Sequence, residues 1–134
     1  MWTAPITVEK YMTRSPHSIG AEQPLSRAQA LMREHDVRHL PVLHGGRLVG
    51  ILTDRDVRFA DVARDDAAQL VTAGDAMATA VYAVAPDAPL GEVASEMAAH
   101  KYGSTVVMQG HKVVGIFTTV DACRALAALL RGDA

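Results

Sequence analysis

The chain has 134 residues, 49% of them hydrophobic and 21% charged, with 13 basic against 15 acidic side chains. That composition is ordinary for a globular protein with one or two small cores, and its scattered arginines form no basic stripe to follow a nucleic-acid backbone. No stretch approaches the roughly eighteen uncharged apolar residues of a membrane span, the N-terminus lacks the basic-then-apolar pattern of a signal peptide, and the single Cys123 builds no disulfide framework. Nucleic acid and membrane are therefore not expected partners, and a cytoplasmic location is.

In chain order, the first residues, ending at Tyr11-Met12-Thr13, read as a short helix that leads into a strand. After Pro24, which suits a first helical turn, Leu25, Ala28, Leu31, Met32 and His35 recur at helical spacing. Leu40 to Leu43 and Leu48 to Leu52 read as two strands around the turn His44-Gly45-Gly46-Arg47. Beyond Thr53 the pattern turns helical again, with acidic residues in the first turn where the helix dipole favours them. A polar stretch from about Ala60 to Ala76, carrying Asp61, Arg64, Asp65, Asp66 and Gln69, reads as a linker, with Ala73 to Ala78 the counterpart of the first short helix. There follow a helix from Leu90 to about His100, a strand over Thr105 to Met108, a turn at Gln109 to Lys112, a strand from Val113 to Phe117 and a helix from Thr119 to Leu130.

The second half repeats the first. An offset of 65 residues aligns Met12 with Met77, Pro24 with Pro89, Met32 with Met97, His35 with His100, Val49-Gly50-Ile51 with Val114-Gly115-Ile116, Thr53 with Thr118 and Asp56 with Asp121, without a gap. Each copy reads βαββα, within residues 1–66 and 67–134. An α/β (α+β) fold is expected, its two repeats related by pseudo-two-fold symmetry, with sheets packed together and helices outside.

Each copy runs an apolar strand through a glycine into Thr-x-x-Asp. Taken alone, the tetrad has two open readings: a capping box that starts a helix, or a hydroxyl and a carboxylate that hold a ligand. A carboxylate can accept from both hydroxyls of a ribose, and a threonine beside unpaired N–H groups at a helix start suits a phosphate oxygen.

Met12-Thr13, Leu40-Pro41-Val42 and Gly50-Ile51-Leu52-Thr53-Asp54-Arg55-Asp56, with Asp75-Ala76-Met77 and Gly115-Ile116-Phe117-Thr118-Thr119-Val120-Asp121 in the second copy, resemble the tandem CBS-domain pair, or Bateman module, over nearly the whole chain. The resemblance implies an adenosine-type ligand (AMP, ADP, ATP or S-adenosylmethionine) in clefts between the repeats, a homodimer formed through helices, and an effector protein that receives the signal. Carried over by position, one cleft would use Gly115, Thr118 and Asp121 with Thr13, Ser15, Pro16, His17, Arg38 and His39. The other would use Gly50, Thr53, Arg55 and Asp56 with Ala78, Ala80, Val81, Gly103 and Ser104, without the basic pair. The Asp121 cleft is thus expected to be the phosphate-bearing one. The alternative is a ligand-free structural or protein-interaction module, since fold alone does not make a site.

Six histidines without ligand spacing predict no metal site. No nucleophile with an adjacent base and no pocketed carboxylate pair predicts an enzyme. Met32 and Met97 are expected in the core, His35 and His100 at helix ends, and Cys123 packed rather than reactive.

Overall fold

The computed structural model describes residues 5–63 and 71–132. Among these the chain is mixed α/β, with two sheets and six helices. In chain order they are α1 (Val8–Tyr11), β1 (Thr13–Arg14), β2 (Ile19–Gly20), α2 (Leu25–His35), β3 (His39–His44), β4 (Arg47–Thr53), α3 (Asp54–Ala63), α4 (Ala73–Ala76), β5 (Ala83–Val84), α5 (Leu90–His100), β6 (Ser104–Gln109), β7 (Lys112–Thr118) and α6 (Thr119–Arg131). The main helices and the hairpin strands hold as expected in both halves. Of the expected linker, Arg64, Asp65, Asp66 and Gln69 lie outside the described residues, while its end folds as α4.

These elements form two compact units that are not the two sequence repeats. One spans His17–Val81; the other joins the residues up to Pro16 to those from Tyr82 onward. In the 17–81 unit, β2 runs parallel to β3, and β3 pairs antiparallel with β4 from His39↔Thr53 to His44↔Arg47. Its core gathers Ile19, Ala28, Met32, Leu40, Val42, Leu52, Val57 and Ala73. Ala78 closes the free edge of β4 by two backbone bonds to Ile51, each 2.9 Å.

The composite unit repeats this arrangement with a lead-in taken from the chain's beginning. Its sheet order is β1-β7-β6-β5, with Thr13↔Ile116 and Arg14↔Gly115 as the edge pairs. Val8 and Met12 join Leu90, Val93, Met97, Val107, Phe117 and Ala125 in its core. The single first strand expected of the N-terminal repeat is therefore split. Thr13–Arg14 serves one sheet and Ile19–Gly20 the other, with Ser15 between them in the left-handed region at φ 48°.

The hairpin turns explain their glycines. Gly45 and Gly46 both have positive φ (58° and 78°), as a type I′ turn demands; in the second hairpin only Gly110 does, and His111 follows without penalty. Gly50 and Gly115 answer to packing instead. A β-carbon on Gly115 would run into the Met12 thioether, and one on Gly50 into Met77 and, at 2.8 Å, the Ala78 carbonyl oxygen. Met32 and Met97 are buried, as expected.

Cys123 is a correction: it is exposed on α6. The helix turns Asp121, Ala122 and Ala125 inward, and that phase carries position 123 outward.

Candidate functional site

Both tetrads are complete capping boxes. At α6, Thr118 Oγ1 accepts from Asp121 N at 3.2 Å while the Thr118 N–H donates to Asp121 Oδ2 at 3.0 Å. At α3 the same exchange joins Thr53 and Asp56 at 3.1 and 3.0 Å. Each box satisfies two donors that a helix start leaves without partners. Each start is also tied to the preceding loop: Asp54 N donates to Arg38 O at 3.0 Å, and Thr119 N to Gly103 O at 3.2 Å.

Beyond the cap the two ends differ. Asp121 is only 4% exposed, whereas Asp56 is half-buried. Thr13 Oγ1 donates to Asp121 at 3.1 Å (Oδ1) and 3.2 Å (Oδ2), Thr118 Oγ1 lies 3.1 Å from Oδ2, and Arg124 reaches Oδ1 at 3.5 Å. A carboxylate this enclosed costs free energy unless its lone pairs are filled, and here hydroxyls, an amide and a guanidinium fill them. In the 17–81 unit Ala78 holds the place that Thr13 holds in the composite unit.

The other expected residues are distributed as follows. Thr13, Ser15, Pro16, Gly115, Thr118 and Asp121 share the composite unit, as do Gly103 and Ser104, with Ser104 opposite Thr118 in the β6–β7 ladder. His17, Arg38, His39, Gly50, Thr53, Arg55, Asp56, Ala78, Ala80 and Val81 share the other, with His39 opposite Thr53. Thr13 is thus brought onto Asp121, while the Arg38-His39 pair is held next to Thr53 within its own unit. His17 stacks on His35, ring centroids 3.6 Å apart, and His100 meets Glu96 at 3.2 Å at the end of α5. The glycines grouped with the ligand contacts have a nearer purpose in seating Met12 and Met77.

The sequence reading missed a third capping box. Thr72 and Asp75 exchange bonds of 3.2 and 3.0 Å at α4. The Thr72 backbone N–H, and then its hydroxyl, hold the Asp75 carboxyl below the ordinary carboxylate range. The signal was present, since Thr-x-x-Asp recurs there, but it sat in a stretch read as linker. Tyr82 moves the other way: burial, then the charges of Glu96 and Glu92, then Tyr102 stacked 5.3 Å away, push its phenol upward. Among the described residues no three His, Cys, Asp or Glu side chains come together as metal ligands, and no helix is long and apolar enough to cross a membrane.

The duplicated hairpin-and-helix unit with its capped Thr-x-x-Asp defines a class of paired repeats, and sequence comparison agrees. The CBS domain family matches residues 8–63 and again 73–128, so the chain belongs to the CBS domain family, with two copies in tandem. It is 32% identical to Hypoxic response protein 1 of Mycobacterium tuberculosis over 121 residues, 90% of this chain and 85% of that one. A crystal structure of Hypoxic Response Protein I with two coordinated zinc ions is 31% identical, with a TM-score of 0.76 over 89% of this chain and 98% of its own. A Vibrio cholerae protein named for acetoin utilization, AcuB, is 35% identical with a TM-score of 0.86, covering 96% and 95% of the two chains. Two similar structures hold adenosine compounds. The CBS pair of protein MJ0100, with 5′-methylthioadenosine and S-adenosyl-L-methionine, has a TM-score of 0.82 at 25% identity, covering 93% and 98%. CBSX2 with AMP has a TM-score of 0.78 at 25% identity, covering 92% and 97%.

Proposed function

We propose that this chain is a regulatory module that binds an adenosine-type ligand, its ribose held by Asp121 and its phosphate or sulfonium-bearing arm directed past the start of α6, and that occupancy is passed to a partner protein. The observation that carries this reading is the buried Asp121 carboxylate ringed by hydroxyls. A helix cap functions on the surface, as Thr72 and Asp75 do, so burial at Asp121 answers a further need. Similar CBS pairs that hold AMP or S-adenosyl-L-methionine support the ligand class. An arrangement of this kind binds and reports rather than catalyses. The exposed thiol of Cys123 suits a reducing, cytoplasmic setting.

A second copy of the chain is the proposed partner for the outer face of α6, where Val120, Leu126 and Leu130 stand exposed. C₂ pairing is the commonest way for soluble chains to bury such a face.

Calorimetry with AMP and with S-adenosylmethionine tests the ligand reading. Asp121→Asn keeps an oxygen for the cap but loses the charge, so AMP binding should weaken by about tenfold or more, with the thermal melt little changed. Wild-type protein that takes up neither compound at millimolar concentration would sink the reading and leave a protein-interaction module in its place.

A further inference from the structure

We propose that Thr13 is a built-in occupant of the ribose position: its hydroxyl lies across Asp121 where a vicinal diol would bind, and it must be displaced before the ligand is held. The inference rests on the ribose-binding reading above and adds a residue that sets its affinity.

Three features carry it. The first is how Asp121 spends its oxygens. Oδ2 is committed to the helix start through the Thr118 N–H at 3.0 Å and hydroxyl at 3.1 Å, while Oδ1 is met by Thr13 and, at 3.5 Å, by Arg124. The second is the nature of the Thr13 bond. One hydroxyl proton faces two oxygens at 3.1 and 3.2 Å. A shared proton makes a poorer bond than two separate, well-aligned ones, so a diol bringing two protons replaces it at a gain, although the Thr13 bond must first be given up. The third is the internal comparison. Ala78 pairs with Ile51 as Thr13 pairs with Ile116, and alanine has no hydroxyl to lay on Asp56. The tetrad that keeps the more enclosed carboxylate is the one supplied with a stand-in.

Thr13 is therefore a positioning residue. It keeps Asp121 satisfied when no ligand is present and raises the threshold concentration at which the site fills, as any competing contact in the empty state does. Its place on a short edge strand, in contact with solvent, gives the hydroxyl room to swing away.

The experiment compares AMP with 2′,3′-dideoxy-AMP on wild-type protein and on Thr13→Val, which keeps the shape and loses the hydroxyl. AMP should bind Thr13→Val about three- to tenfold more tightly, the range expected for releasing one ordinary hydrogen bond, since a single proton shared by two oxygens falls short of a full bond to a charged group, and the dideoxy compound should bind both proteins equally. Thr13→Ser should restore wild-type affinity. Thr13→Ala, which copies Ala78, should show the same gain as valine, and serves if valine disturbs the edge. Unchanged or weaker AMP binding in both hydroxyl-free variants overturns the stand-in role and leaves ribose binding standing, provided wild type still prefers AMP to its dideoxy form. If wild type shows no such preference, both readings fall.

Discussion

Thr-x-x-Asp occurs three times, and side-chain surroundings give it three characters. At Thr72 and Asp75 it is an exposed cap, at Thr53 and Asp56 a half-buried one, and at Thr118 and Asp121 a buried cap whose carboxylate also takes a hydroxyl from β1. The exposed copy supplies a clean pH test. Because folding lowers the Asp75 carboxyl, the cap's contribution is fully present above the ordinary carboxyl value of about 3.9. It is lost as pH falls through the lower, folded value. A carbon-detected NMR titration should therefore find the Asp75 midpoint below that of an exposed aspartate, and Thr72→Val should move it back upward. An unmoved midpoint in the variant would remove the Thr72 hydroxyl as a cause and leave the backbone N–H, which the variant keeps. At this scale the sequence was legible for the two tetrads behind apolar strands, where the helix start was marked by a change of period. It was not legible for Asp75, because a helix of four residues shows no period, nor for Cys123, whose exposure depends on the phase of a helix rich in alanine on all sides.

At the level of elements, the glycine before each tetrad is a seat for a methionine. Met12 and Met77 lie at the same position of their lead-ins, and each rests where Gly115 or Gly50 lacks a side chain. The two seats are unequal. At Gly115 the Met12 side chain crowds the added β-carbon, and methionine can repack; at Gly50 the Ala78 backbone oxygen also stands 2.8 Å away and is fixed by its pairing with Ile51. Gly50→Ala should thus cost about 2–3 kcal/mol, within the range for overpacking, and Gly115→Ala clearly less, read as denaturant midpoints. Equal losses would argue against the carbonyl as the deciding contact. Strands, helices and hairpin turns were all legible from period and glycine placement. The partners of the short lead-in strands were not, since two-residue strands such as Thr13–Arg14 and Ile19–Gly20 carry no alternation from which to read a register.

For the whole molecule, the repeat and its family were readable because duplication at a constant offset registers far above the noise of single motifs, whereas the division into compact units was not. A sequence repeat marks what was copied; a spatial unit marks what packs together. The outward face of α6 adds a prediction at this scale. Leu130 is 79% exposed and Leu126 59%, so sedimentation equilibrium should report a dimer that Leu126→Glu with Leu130→Glu converts to monomer, with secondary structure retained. A monomeric wild type would remove the proposed pairing.

The exchanged lead-ins carry a further consequence, for inheritance. A chain holding only the first sixty-odd residues would own Met12 but not the Gly115 it rests on, and Gly50 but not Met77. Its hairpin edge would lack both the Ala78 pairing with Ile51 and the Met77 side chain that rests on Gly50. Loss of either half of the gene would take from the remaining hairpin the lead-in that closes its edge.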